Sequence, residues 1–161
     1  MILLNNEDYK EDPVSVELQS AITCGIRHIG IATYSSGKVK AFLVNKGYSD
    51  NVAEDAVSEL IKTGYINDEK AAGKVLRARS GKKQESRAFI YNRLLEAGIA
   101  EDTADTICDG LPSDTDSCMS LFESLGIPED PDSCREEYLK TAARRGYTYE
   151  VASSAFNRLI G

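Results

Sequence analysis

The chain has 161 residues, 42% of them hydrophobic, and a formal net charge of −7, which bounds it to about one ordinary domain with enough apolar material to fold. It has no run of 18 apolar residues that would cross a membrane, and Met1 to Leu4 passes at once into Asn5, Asn6, Glu7 and Asp8 rather than into a secretory leader. A cytoplasmic protein with no membrane contact is expected, and its four cysteines, which form no CxxC pair, are expected as reduced thiols.

In chain order, an N-terminal tail of residues 1–13 is followed by helices expected at about 14–32, 36–46 and 50–62, then 68–79, 83–97 and 101–110, then 115–125, 133–145 and 149–160. No stretch alternates β-branched residues with period two, so little or no sheet is expected. The helices fall into triplets because one phrase recurs. A helix ends at a glycine, a large apolar residue follows, and a new helix begins: Gly47-Tyr48-Ser49, Gly98-Ile99-Ala100 and Gly146-Tyr147-Thr148, spaced 51 and 48 residues apart.

The register after each glycine is the same. Ala53, Ala56, Val57 and Leu60 are echoed by Ala104, Ile107, Cys108 and Leu111, then by Ala152, Ala155, Phe156 and Leu159. Spacing of i, i+3, i+4 and i+7 places such residues on one face of an α-helix. The glycines suit the left-handed residue that closes a Schellman motif, with Tyr48, Ile99 and Tyr147 expected to pack back on Leu43, Leu94 and Ala142, and Gly64-Tyr65 repeats the device with Leu60. Ser49 and Thr148 can cap the next helix, whereas Ala100 has no side-chain acceptor to offer. The expected fold is therefore all-α: repeat 1 at 14–63, repeat 2 at 64–111, and an acidic connector with repeat 3 at 112–161. Units this small must stack to bury their faces, which predicts an elongated, curved array.

Charge is unevenly spread. Between Lys74 and Arg93 lie seven basic residues (Lys74, Arg77, Arg79, Lys82, Lys83, Arg87 and Arg93) against a single acid, Glu85, while from Leu94 to Cys134 there are eleven acids and no Lys or Arg. Such a basic stretch suits phosphate or an acidic protein surface. The competing reading is a pair of solvated helix faces, with Lys74 and Arg77 near a helix C-terminus favoured by its dipole alone.

Catalysis finds little support. The one histidine, His28, sits among apolar and small residues, with no neighbouring partners for a triad or a metal set. Ser80-Gly81-Lys82-Lys83 lacks the first glycine and the hydroxyl residue of a phosphate-binding loop. We expect no enzyme, no catalytic residue, no metal and no cofactor.

Taken together, Tyr34-Ser35, Leu43-Val44-Asn45-Lys46-Gly47-Tyr48, Gly64-Tyr65-Ile66-Asn67-Asp68 with Ala71-Ala72, the Ile90, Leu94, Gly98-Ile99 series and Arg144-Arg145-Gly146-Tyr147-Thr148 resemble the RecX regulators of bacterial recombination. The resemblance runs from about residue 20 to the C-terminus. It implies a monomeric, non-enzymatic modulator that binds the RecA filament on DNA and restrains ATP hydrolysis, strand exchange and filament growth, with a place in DNA repair and the SOS response. It also adds Arg144 and Arg145 to the basic residues that would meet DNA phosphate or the acidic filament surface. The chain departs from the family in the basic-free connector ending near Cys134, which favours RecA over DNA as the direct partner. A helical-repeat adaptor, or a nucleic-acid-binding protein with no RecA role, would share the fold.

Overall fold

The computed structural model of the protein describes residues 12–161. Its regular structure is helical: α1 (Pro13–Ile29), α2 (Ser36–Asn45), α3 (Asp50–Lys62), α4 (Asp68–Ala78), α5 (Arg87–Glu96), α6 (Glu101–Asp109), α7 (Asp114–Leu125), α8 (Pro131–Arg144) and α9 (Tyr149–Ile160), with a 3-10 turn at Gly81–Lys83. No strand occurs among the described residues, so the all-α class stands. The tail expected at 1–13 lies outside the described residues as far as Glu11. Its last two residues open α1, Asp12 accepting the Val14 N–H and Pro13 standing first in the helix, where its missing N–H costs nothing.

The chain divides into two compact units, one ending at Ile66 and the other running from Asn67 to Gly161. In the first, α1, α2 and α3 close on Ala21, Val39, Leu43, Ala53, Ala56 and Leu60, all fully buried. The first apolar stripe read from the sequence thus faces this core. Gly25 allows α1 to lie close to α3, since a Cβ there would come within 2.7 Å of Leu60 Cδ1. His28 stacks on Phe42 with ring centroids 3.6 Å apart, half-buried beside Tyr34, which gives the lone histidine a packing role.

The second unit holds two cores. Helices α4 to α6 enclose Ala72, Ile90, Leu94, Ile99 and Ala104, while Ile107, Cys108 and Leu111 of the second stripe are only partly buried against it. Helices α7 to α9 enclose Cys118, Leu121, Phe122, Ala142, Tyr147, Ala152, Ala155 and Phe156. Phe122, Tyr138 and Phe156 meet edge to face at 5.3–6.2 Å, an arrangement that adds to the burial of each ring. Deep in this core the Tyr147 and Ser117 hydroxyls lie 2.9 Å apart.

The repeated phrase forms the predicted helix ends. The amides of Gly47 and Tyr48 donate to the carbonyls of Val44 and Leu43, those of Gly98 and Ile99 to Leu95 and Leu94, and those of Gly146 and Tyr147 to Ala143 and Ala142. Gly64 and Tyr65 donate to Ile61 and Leu60 in the same way. All four glycines have φ between 81° and 103°, the region where a Cβ is disfavoured. Ser49 and Thr148 cap α3 and α9 through the Val52 and Val151 amides. Ala100 offers no side-chain cap; the Thr103 N–H, which matches those of Val52 and Val151, donates to Asp102 Oδ1 at 2.8 Å, and the Ala100 N–H donates to Asp68 Oδ2 at 3.0 Å.

The largest departure from the sequence reading is at α5, which starts at Arg87 rather than near 83. Ser86 caps it by accepting the Phe89 N–H, and the preceding residues are diverted into the 3-10 turn because Glu85 points inward, 3% exposed.

Candidate partner-binding site

All nine basic residues singled out from the sequence lie in the second unit, and their surroundings sort them. Lys74 and Arg77 stand exposed and one turn apart on the last part of α4, with the Arg77 guanidinium folded back over Gly73. Lys82 and Lys83 are exposed on the 3-10 turn, and neither has a hydrogen-bonded or ionic side-chain partner among the described residues. Arg144 is exposed at the end of α8, its Nη2 3.3 Å from the Thr141 hydroxyl.

Arg79 and Arg93 converge on the one acid of the basic stretch. Arg93 Nε and Nη2 lie 3.3 and 3.2 Å from the two carboxylate oxygens of Glu85, and Arg79 Nη1 lies 3.6 Å from Oε1. Arg93 also reaches Glu96 at 3.7 Å. The Glu85 hydrogen bond and charge raise the Arg93 pKa above its already high ordinary value. A buried carboxylate needs such partners, because an uncompensated one is costly to remove from water.

Arg87 is committed to the backbone. Its N–H donates to Asp114 Oδ1 at 2.8 Å, its Nε to the Pro112 carbonyl at 3.0 Å, and its Nη2 to the Leu111 carbonyl. These bonds tie the start of α5 to the connection between α6 and α7. Arg145 joins two parts of the sequence that lie 63 residues apart: its Nη2 donates to the Lys82 carbonyl at 3.0 Å, and its own carbonyl accepts the Ser86 N–H at 3.0 Å. The turn after α8 therefore docks on the loop that carries Lys82 and Lys83. Phe89, 38% exposed, lies against Gly146 at this joint.

The site thus combines a basic edge, drawn from the 3-10 turn and the end of α8, with four arginines whose head groups are held by the protein itself. Sequence reasoning placed all nine in one class because it sees charge, not the direction of a side chain. It also passed over Glu85 and Ser86; the only trace of Glu85 was its being the single acid in the stretch. The acids Glu101, Asp102, Asp105 and Asp109 of α6 are exposed. Burial, helped by Asp105 and Glu101, raises the pKa of Tyr91 on the facing helix. Among the described residues no group of His, Cys, Asp and Glu could hold a metal ion, and no helix is long and apolar enough to cross a membrane.

No protein-family model matches the chain. Three proteins named regulatory protein RecX are similar to it. That of Pelodictyon phaeoclathratiforme is 27% identical over 146 residues, 87% of this chain and 89% of that protein. Those of Trichlorobacter lovleyi and Mycolicibacterium vanbaalenii are 24% and 23% identical over 132 and 126 residues, covering 78% and 71% of this chain and 86% and 68% of theirs. The crystal structure of RecX from Lactobacillus salivarius shares the fold, with a TM-score of 0.68 at 14% identity over 90% of this chain and 97% of that one.

Proposed function

We propose that the chain is a member of the RecX family of regulatory proteins, as its likeness to three of them supports, and that it regulates the RecA recombinase, mainly as an inhibitor. In this reading it binds the RecA–DNA filament and restrains ATP hydrolysis, strand exchange and filament growth, acting as a cytoplasmic monomer without catalysis, metal or cofactor. The three separate apolar cores support reading the chain as three tandem helical repeats.

The observation that carries the proposal is the hydrogen bond from Arg145 to the Lys82 carbonyl, which brings the basic stretch of α4–α5 together with the basic end of α8. The residues that meet the partner are Lys82, Lys83 and Arg144, extended along α4 by Lys74 and Arg77. Arg79, Arg87, Arg93 and Arg145 shape the surface that presents them. A positive edge on an otherwise acidic protein suits either DNA phosphate or an acidic patch of the filament.

The test is RecA's single-stranded-DNA-dependent ATP hydrolysis with substoichiometric and equimolar additions of this protein. Inhibition by the wild type, lost in a Lys82→Glu, Lys83→Glu, Arg144→Glu variant that still folds, supports the reading. No inhibition by folded wild-type protein would assign the chain to the helical adaptors.

A further inference from the structure

A carboxylate that is 3% exposed, in the most basic part of an acidic chain, calls for a reason. Stability alone is a weak one. Replacing a buried ion pair with apolar side chains of similar volume is often neutral or stabilising, whereas removing one partner is costly. Glu85 shares a small cavity with Leu76 and Ile90 of the neighbouring apolar core. What the ions supply, and an apolar residue would not, is direction.

That direction is set on both sides of Glu85. Arg79 is the C-cap residue of α4, and Arg93 lies in the last turn of α5. One carboxylate near the end of the segment 80–86, which carries Lys82 and Lys83, thus holds the guanidinium just before the segment's start and a second one from the last turn of α5. The backbone of the same segment is fastened by Arg145 at the Lys82 carbonyl and at the Ser86 amide. Ser86, fully buried, then starts α5.

We infer that Glu85 is a positioning residue for the proposed interface: held by Arg79 and Arg93, it orders the segment 80–86 so that Lys82 and Lys83 stand beside the end of α8 as one surface. The inference rests on the reading above and adds a residue that itself touches no partner. It has a sign that charge counting would not give. Glu85→Gln removes a negative charge from a basic edge, so electrostatics alone predicts tighter binding to an acidic partner. Loss of positioning predicts weaker binding.

The experiment compares full-length wild type and Glu85→Gln in two assays, inhibition of RecA's ATP hydrolysis and the rate of trypsin cleavage after Lys82 and Lys83. The expected result is about tenfold more Glu85→Gln for half-inhibition, with cleavage at Lys82–Lys83 at least about tenfold faster and helical content retained. Inhibition equal to or stronger than wild type, or an unchanged cleavage rate, overturns the inference. If Glu85→Gln does not fold, Arg79→Gln, which leaves the Arg93 pair in place, is read by cleavage at the two lysines. Faster cutting there supports the role, and wild-type cutting overturns it. The surface reading fails separately: Lys82→Glu, Lys83→Glu, Arg144→Glu retaining full inhibition would end both proposals, whereas loss there with none in Glu85→Gln would end this one alone.

Discussion

Gly146 lies directly against Phe89: a Cβ built on the glycine would stand 2.5 Å from Phe89 Cδ1 and 2.6 Å from Ser86 Oγ. The turn after α8 is therefore held to the start of α5 by the absence of a side chain, as well as by the bond between the Ser86 amide and the Arg145 carbonyl. Gly47 occupies the same place in its own helix end, yet a Cβ there would meet nothing within 4 Å. Both are in the left-handed region, so alanine at either should cost about 1–3 kcal/mol in backbone strain. Gly146→Ala should cost more than Gly47→Ala, by an amount that reflects the displaced Phe89. Denaturant melts of the two variants give the comparison, and equal losses would mean the joint yields freely.

Leu60 is fully buried and Leu159 only partly so. Leu60→Ala should therefore lose about 2–5 kcal/mol through lost burial and the cavity left behind, and Leu159→Ala clearly less. Thermal unfolding followed by circular dichroism would rank them.

Reversing charge should divide the basic residues into two groups. Lys82→Glu and Lys83→Glu alter exposed side chains and should each shift stability by less than about 0.5 kcal/mol. Arg79→Glu sets a second carboxylate against the buried Glu85 and should destabilise by several times that amount. Equal stability of the three variants would show that the Arg79–Glu85 pair is dispensable.

Two buried weak acids predict an alkaline limit to stability. Burial, with a smaller contribution from Asp114, pushes the Cys118 thiol from 9.0 to about 12. Burial also raises the Tyr147 phenol strongly, outweighing its Ser117 and Gln84 hydrogen bonds. Each group holds its proton more tightly folded than unfolded, so its contribution is fully present below the unfolded value. For Cys118 it is lost progressively from about pH 9 to about pH 12, by up to about 1.4 kcal/mol per pH unit. Tm should fall over that range, and Cys118→Ala should flatten the decline. A decline unchanged by that substitution would assign it elsewhere.

If DNA phosphate is the direct partner, Lys74, Arg77, Lys82, Lys83 and Arg144 together set the salt dependence. Log affinity for a single strand should fall against log salt with a slope of roughly −3.5. Each charge removed should lower the slope by about 0.7. A slope near zero, or no binding, would reject DNA phosphate as the direct partner.

What the sequence disclosed and what it withheld divide along the range of the interactions involved. The Gly47, Gly64, Gly98 and Gly146 turns were legible because each is decided within six residues, and the Ala53 to Leu60 stripe because helical period alone places it. The start of α5 was misread by four residues because Glu85 and Ser86 owe their positions to Arg79, Arg93 and Arg145, contacts that span 6 to 59 residues of sequence. The same contacts separate the exposed lysines from the arginines the protein keeps for itself, a distinction that composition has no means to draw.

The hydrogen bond from Ala100 to Asp68 carries a consequence for how this sequence can change. The middle of the three repeated helix starts lacks the hydroxyl that serves at Ser49 and Thr148: the Thr103 N–H it would cap goes to Asp102 Oδ1, and a carboxylate 32 residues earlier holds the Ala100 N–H itself. Position 68 is thus read at position 100. A Ser or Thr at position 100 would compete with Asp102 for the Thr103 N–H and leave the Ala100 N–H still in need of Asp68, so an acceptor at 68 should persist whatever residue caps α6.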